Sequence, residues 1–216
     1  GERGDWQRCL ENLDRLPETD AVLKLKKQAL YESCDWHRLL EIMPKLRAAK
    51  LAEDHFEKQV VMNRLSETTI NDKGRAAVVK RSSPSVRQDP EVVLRHAWSL
   101  SDERAMEVSL RNAIKRNWHS KHVVAYGKLG RDTLQARIRH AESWLKKHEV
   151  SSELHMALAT MYQKTGDLDK AKQACQKSID VSPSQAALEM MATFLAEDGD
   201  YVASNRYLKQ ALKLRI

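Results

Sequence analysis

The sequence is poor in the residues that build disulfide-rich or metal-bound domains. It has three cysteines, Cys9, Cys34 and Cys175, which lie far apart and form no Cys-x-x-Cys pair. An odd number of dispersed cysteines indicates neither a disulfide framework nor a thiolate metal site, and it fits a reducing compartment.

Glycine and proline are also scarce, with seven and five among 216 residues. No apolar run approaches the roughly 20 residues that a membrane-spanning helix needs, and no signal-peptide core follows Gly1. The abundant residues, which include Ala, Leu, Lys, Arg, Glu and Gln, are those that lose least on entering a helix. The composition therefore predicts a helical protein.

Signatures of catalysis are missing as well. The chain has no Gly-rich phosphate loop, no Gly-x-Ser-x-Gly and no His-Glu-x-x-His. His119 and His122 lie three residues apart and could share a helix face, but no Cys, Asp or Glu stands at ligand spacing beside them. We therefore predict no catalytic residues, no metal site and no required cofactor, and we interpret His155 as a packing residue.

Self-similarity is the strongest positive feature. Tyr126-Gly127-Lys128-Leu129-Gly130 is echoed 36 residues later by Tyr162-Gln163-Lys164-Thr165-Gly166, and Gly166-Asp167 recurs 33 residues later as Gly199-Asp200. Such periods are typical of helix-pair solenoids. We predict an all-α fold, a right-handed superhelical solenoid of antiparallel helix pairs of the tetratricopeptide type.

The unit from Ser151 to Ser182 carries the clearest pattern. Leu154, Leu158, Met161 and Tyr162 share one helical face, and Gly166-Asp167 is suited to ending one helix and capping the next. The unit from Ser184 to Leu214 repeats the pattern, and we expect it to be an outer cap.

Three regions are predicted along the chain. Residues 1–70 are expected to hold N-terminal helical repeats, with Asp-Trp steps at Asp5-Trp6 and Asp35-Trp36 that open helices and a truncated first unit. Residues 71–90, which contain Ser82-Ser83-Pro84 and few large apolar residues, are expected to form an irregular helix and loop or a hinge. Residues 91–216 are expected to hold the C-terminal repeats.

The first helices of successive units line the concave face in such solenoids, which suggests a groove for a partner segment. The alternative is that these polar residues are simply exposed helix faces. The predicted groove residues are Val124, Lys128, Met156, Thr160, Lys164, Glu189 and Thr193.

Positive charge is concentrated in one segment. The formal charge of the chain is +7, and residues 111–148 contain ten basic residues against Asp132 and Glu142. Three interpretations of these basic residues remain open. They form a solvated helix surface, they bind anionic lipid headgroups, or they bind acidic proteins or porphyrin carboxylates. Nucleic acid is disfavoured because no aromatic stacking platform accompanies the charge. Besides Lys128, the predicted basic surface comprises Arg111, Lys115, Arg116, Lys121, Arg131, Arg137, Arg139, Lys146 and Lys147.

Three stretches resemble a known family. Residues 111–118 (RNAIKRNW), 123–127 (VVAYG) and 141–148 (AESWLKKH) resemble the C-terminal region of the HemY family of haem-biosynthesis-associated tetratricopeptide proteins. The resemblance covers about Asp89 to Leu212, with a looser match from Asp35 to Arg47.

The resemblance implies a protein of the bacterial inner membrane, with this soluble region on the cytoplasmic side and two membrane helices outside the present sequence. It also implies a non-enzymatic scaffold whose protein partners are enzymes of late haem or porphyrin biosynthesis. The alternative function is a carrier that binds haem or porphyrin directly.

Overall fold

The structure is a computed structural model that describes residues 2–214, with side chains from Asp5 onward. Over this range it consists of α-helices and contains no strand, so the predicted all-α fold of antiparallel helix pairs is confirmed. Contacts divide the chain into two compact units, with the boundary in the sequence between Ser101 and Asp102.

The first unit contains seven helices among the described residues. They are α1 (Glu2–Asp14), α2 (Asp20–Glu32), α3 (Trp36–Ala48), α4 (Asp54–Leu65), α5 (Asp72–Arg81), α6 (Pro84–Gln88) and α7 (Pro90–Ser99).

The second unit also contains seven described helices. They are α8 (Glu103–Arg116), α9 (Ser120–Lys128), α10 (Leu134–His148), α11 (Ser152–Thr165), α12 (Leu168–Val181), α13 (Gln185–Glu197) and α14 (Tyr201–Lys213).

One turn geometry recurs in three of the helix pairs. Asp167 and Asp200 cap α12 and α14 by accepting backbone N–H bonds, and each follows a glycine with a φ near +80°. Asp35 caps α3 in the same way, but the left-handed residue before it is Cys34, with a φ of 57°. The pairs α2–α3, α11–α12 and α13–α14 are therefore joined by the same turn.

The first predicted Asp-Trp step differs from the second. Asp35 is the N-cap of α3, as expected, whereas Asp5 lies inside α1, which begins at Glu2. The prediction that Asp5 opens a helix is wrong, because the helix begins three residues earlier, at Glu2.

Residues 71–90 form two helices rather than an irregular segment. Asn71 caps α5, and Ser83 caps α6, which has Pro84 in its first turn. The buried Glu57 of α4 fixes the junction between α5 and α6, because its Oε1 accepts a hydrogen bond of 2.8 Å from the backbone N–H of Ser83. The segment and α7 both lie in the first unit, so the division into units falls after residue 101 and not within residues 71–90.

The core of the second unit depends on one close helix approach. A Cβ added at Gly127 of α9 would lie 2.9 Å from both Cα and Cβ of Ala157 on α11. The absence of a side chain at Gly127 lets α9 and α11 pack directly, with Tyr126 and Leu154 fully buried beside them.

Candidate functional site

A groove in the second unit is the candidate site that contains most of the predicted groove residues. It lies between α9, α11 and the connection from α12 to α13, and it encloses a cavity of about 310 Å³. Its lining residues are Val124, Lys128, Ser152, Glu153, Met156, Ala157, Thr160, Ser178, Ser182, Ser184 and Ala186.

The groove combines an apolar floor with charged and hydroxyl-bearing walls. Val124, Met156 and Ala157 supply aliphatic surface, while Lys128 and Glu153 bring opposite charges. The Ser178 hydroxyl donates a 2.9 Å hydrogen bond to the backbone oxygen of Ser152, which ties α12 to α11 beneath the groove. A mostly apolar concavity with a few polar groups is suited to a short peptide segment.

Four of the seven predicted groove residues lie together in this cavity: Val124, Lys128, Met156 and Thr160. The Thr160 hydroxyl donates a 3.0 Å hydrogen bond to the backbone oxygen of Met156 in the preceding turn. Lys128 is exposed and lines the groove at the end of α9.

Lys164 has a structural position instead. Its Nζ donates hydrogen bonds to the backbone oxygens of Gly127, Lys128 and Leu129, at 3.4, 2.9 and 2.5 Å. These carbonyls end α9 and have no partner within the helix. Burial lowers the pKa of this ammonium group, because the charged form loses hydration. Lys164 therefore caps α9 and does not line the cavity.

Glu189 and Thr193 are exposed on α13 and are not among the residues that line the cavity. The Glu189 side chain accepts a 2.7 Å hydrogen bond from Gln185, and the Thr193 hydroxyl donates a 3.0 Å bond to the backbone oxygen of Glu189. These bonds lie within α13, and the prediction that both residues belong to a partner groove stays a prediction.

Some cavity residues were not predicted. Ser152 and Glu153 lie one turn before Met156 on α11, and this spacing could have identified them. Ser178, Ser182 and Ser184 come from the end of α12 and the start of α13. No sequence signal places those serines beside α9, because their position depends on how the helix pairs stack.

The predicted basic surface is not one uniform set. Arg137 is fully buried, and its guanidinium donates hydrogen bonds to the backbone oxygens of Tyr126, Leu129 and Gly130. Burial lowers the pKa of Arg137, while the Glu103 carboxylate 3.6 Å away opposes that shift. Arg137 therefore supports the α9–α10 turn, and assigning it to a surface was wrong.

Arg111 is also engaged within the unit. Its Nε donates a 2.9 Å hydrogen bond to Oε1 of the buried Glu107, which also accepts a 2.6 Å bond from the Tyr126 hydroxyl. His140 lies 3.0 Å from that hydroxyl. The other predicted basic residues are exposed: Lys115, Arg116, Lys121, Arg131, Arg139, Lys146 and Lys147.

Three of the histidines, His119, His122 and His155, have packing or capping contacts. His119 caps α9, with its Nδ1 accepting a 3.2 Å bond from the backbone N–H of Lys121. Its ring lies 5.3 Å from the ring of the buried His122. His155 is buried, with Nε2 2.8 Å from the backbone oxygen of Glu149. Across residues 2–214, no three His, Cys, Asp or Glu side chains come together as a metal site.

Within that same range, no helix combines the length and the apolar character that crossing a bilayer requires.

Comparisons with known proteins bear on the repeats. No curated protein sequence matches the chain, so the resemblance to the HemY family rests only on residues 111–118, 123–127 and 141–148 and the looser match from Asp35 to Arg47. Among solved structures, a crystal structure of MamA aligns at 19% identity over 66% of this chain and 87% of that chain, with a TM-score of 0.48. MamA from Desulfovibrio magneticus RS-1 aligns at 14% identity over 75% and 94%, with a TM-score of 0.49.

A family model for the tetratricopeptide repeat matches residues 152–185. This range contains α11, the turn at Gly166-Asp167, α12 and the first residue of α13. The sequence pattern, the turn geometry and the family match therefore agree that this segment is a tetratricopeptide repeat.

Proposed function

We propose that this protein is a non-enzymatic interaction scaffold whose groove between α9, α11 and α13 binds a short segment of a partner protein. The observation that carries the proposal is the cavity of about 310 Å³, whose lining combines Val124, Met156 and Ala157 with the charged side chains Lys128 and Glu153. An apolar side chain seated on Met156 gives affinity, and the two charges fix the direction of the bound segment.

Photo-cross-linking in cells tests this proposal. A cross-linking amino acid replaces Met156 in the groove and, as a matched control, exposed Gln173 on α12. We expect one defined protein to be cross-linked from position 156 only, and we expect Lys128→Glu to reduce its yield. Equal cross-linking from both positions would contradict a binding role for the groove.

The identity of the partner is a finer proposal. The resemblance to the HemY family supports enzymes of late haem or porphyrin biosynthesis at the bacterial inner membrane, with this region on the cytoplasmic side. Recovery of such an enzyme from position 156 is the expected result. Recovery of a protein from an unrelated pathway would retain the scaffold and exclude this assignment.

The second candidate function is direct haem or porphyrin binding, which the basic residues of α8 to α10 and the His119–His122 pair favour. Haem titration separates the two functions. A carrier gives a Soret shift that saturates at one equivalent and is lost in His119→Ala, whereas a scaffold gives only non-saturating uptake.

The exposed Lys and Arg residues also suit a third proposal, binding to a membrane surface with anionic headgroups. Each Lys or Arg near anionic headgroups contributes about 1 kcal/mol to binding. Co-sedimentation with anionic vesicles at low salt, lost at high salt and absent with neutral vesicles, is the result that membrane binding requires.

A further inference from the structure

Two side chains of opposite charge line the groove. Lys128 of α9 is exposed and Glu153 of α11 is half-buried. Neither side chain forms an ion pair with another residue in the part of the chain that the structure describes. The Glu153 carboxylate accepts one 3.2 Å hydrogen bond, from the neighbouring Ser151 hydroxyl. Both charges are therefore available to a bound segment.

Contacts between α9 and α11 show where these two residues lie along the groove. A Cβ added at Gly127 would lie 2.9 Å from the Cα of Ala157, so these two residues are level with each other. Glu153 comes four residues before Ala157, which is about 6 Å along the helix axis. Lys128 follows Gly127, and its backbone oxygen accepts a 2.9 Å hydrogen bond from Lys164, seven residues beyond Ala157. Lys128 therefore lies toward the C-terminal end of α11, and Glu153 lies near its N-terminal end.

The separation of these positions sets the length of chain that can contact both. Packed helices lie about 8–10 Å apart, so the backbones of Lys128 and Glu153 are on the order of 10 Å apart. An extended chain rises about 3.3 Å per residue, and about three residues therefore span this separation. Met156 lies on α11 one turn beyond Glu153, toward the level of Lys128. An apolar side chain between the two contacts can therefore pack on Met156.

Hydroxyl groups of the groove favour an extended segment over a helix. Among residues 5–214, the Ser152 and Ser182 hydroxyls have no hydrogen-bond partner. The Ser184 hydroxyl accepts a 3.2 Å bond from the backbone N–H of Ala187, and its own hydrogen remains available. An extended chain has backbone N–H and C=O groups that need partners, whereas a helix pairs most of them internally. These three hydroxyls can therefore bind the backbone of an extended segment.

The end of the groove at Lys128 is surrounded by further positive charge. Burial lowers the pKa of Lys164, and the positive charges of Arg137 and Arg131 act in the same direction, while Glu103 opposes them. Lys128, Lys164, Arg131 and Arg137 therefore outnumber the single carboxylate near this end. Such an excess of positive charge favours an acidic residue of the bound segment there, and Glu153 favours a basic residue at the other end.

We propose that the groove binds an extended segment of a partner protein in which an acidic and a basic residue, about three or four positions apart, flank an apolar residue. The acidic residue pairs with Lys128, the basic residue pairs with Glu153, and the apolar side chain packs on Met156. This inference rests on the proposed function and adds the sequence pattern that the groove selects. A uniformly acidic or uniformly basic segment is a poor occupant, because one of its ends meets a like charge.

Selection from a random peptide library displayed on phage, with the full chain as the target, tests this pattern without assuming a partner. The selected peptides are then synthesised, and fluorescence anisotropy measures their affinities for the unmodified protein and for its variants. Met156→Glu removes the apolar contact and so identifies the peptides that bind in the groove. Circular dichroism verifies that each variant is folded.

The charge-reversal variants are Lys128→Glu and Glu153→Lys. Their matched controls are Lys209→Glu, exposed on α14, and Asp169→Lys, which changes an acid in the first turn of α12 as Glu153→Lys does in α11. We expect each reversal to weaken binding at least about tenfold, because an attraction becomes a repulsion, and we expect the controls to leave affinity unchanged. Renewed selection should yield two basic residues at the same spacing with Lys128→Glu, and two acidic residues with Glu153→Lys.

The outcomes separate this inference from the proposed function. Peptides that depend on Met156 but carry no opposite charges, or that tolerate both reversals, would overturn the charge pattern and retain a groove that binds partner segments. Opposite charges about seven positions apart would indicate a bound helix and would likewise overturn the inference. If no selected peptide loses affinity in Met156→Glu, the inference and the proposed function both fail.

Discussion

The ammonium group of Lys164 lies where α9 runs out of helical hydrogen-bond partners, and it contacts three backbone oxygens there. We predict that Lys164→Met destabilises the protein by about 1–3 kcal/mol, because the Gly127 and Lys128 carbonyls lose their charged donor while the aliphatic part of the side chain is retained. Urea unfolding measures the change, and Lys177→Met on the exposed side of α12 is the control. Equal midpoints for the two variants would show that water replaces the ammonium group without cost.

His96 of α7 gives the stability a dependence on pH. Burial lowers its pKa below the ordinary value of 6.5, and the positive charge of Arg75 acts in the same direction, while Asp72 opposes it. The unfolded chain therefore binds this proton more readily than the folded chain does. The contribution of His96 to stability is complete above about pH 6.5 and decreases as the pH falls through its lower folded-state pKa.

We therefore predict that unfolding free energy decreases between pH 7.5 and 5, and that His96→Gln flattens this decrease. Urea titrations across this range measure the slope, with exposed His55→Gln as the control. His140, whose pKa burial and Arg111 also lower, accounts for part of the remaining slope. A slope in His96→Gln identical to that of the unmodified protein would contradict the assignment.

At the scale of elements, the turn that α2–α3 shares with α11–α12 and α13–α14 leads to a prediction about Cys34. This residue adopts a φ of 57°, where Gly166 and Gly199 adopt 82° and 83° in the corresponding turns. A side chain in this conformation costs about 1–2 kcal/mol. We expect Cys34→Gly to raise the unfolding midpoint and Gly166→Ala to lower it, measured by thermal denaturation. A lower midpoint for Cys34→Gly would mean that the thiol makes a compensating contact.

Gly127 supports the packing of two elements and not a turn. An added Cβ would meet backbone and side-chain atoms of Ala157 at 2.9 Å, whereas at Gly166 it would meet nothing within 4 Å. We predict that Gly127→Ala destabilises the protein more than Gly166→Ala, because α9 and α11 must move apart. It should also weaken partner binding in the groove, whose floor contains Ala157. Equal destabilisation by the two substitutions would show that the helices separate without loss.

For the whole molecule, the division after Ser101 makes a prediction about fragments. Val92 and Ala97 of α7 are fully buried in the first unit, where α7 packs against α4, α5 and α6. We expect residues 102–216 to form a cooperatively folded fragment, and residues 91–216 to expose the apolar face of α7 and to associate. Circular dichroism melts and sedimentation compare the two. A monomeric, more stable fragment 91–216 would favour a boundary near residue 90.

The sequence by itself determined the helical class, the repeat from Ser151 to Ser182 and the turn at Gly166-Asp167. These features depend on residues close together in the chain: apolar spacing along one helix, a left-handed glycine and a capping carboxylate. Four groove residues could also be predicted from helical spacing: Val124, Lys128, Met156 and Thr160. They lie on α9 and α11, the first helices of two successive repeats, and the repeat pattern implies that such helices line the concave face.

Only the tertiary structure decided where the long cationic side chains go. Lys164 and Arg137 look like surface residues in sequence, yet both reach the carbonyls that end α9, and their partners belong to other helices. The serines from α12 and α13 entered the groove for the same reason. The exposure of Leu208 and Leu212 was equally hidden, because the apolar pattern of a helix is the same whether or not a neighbour covers it.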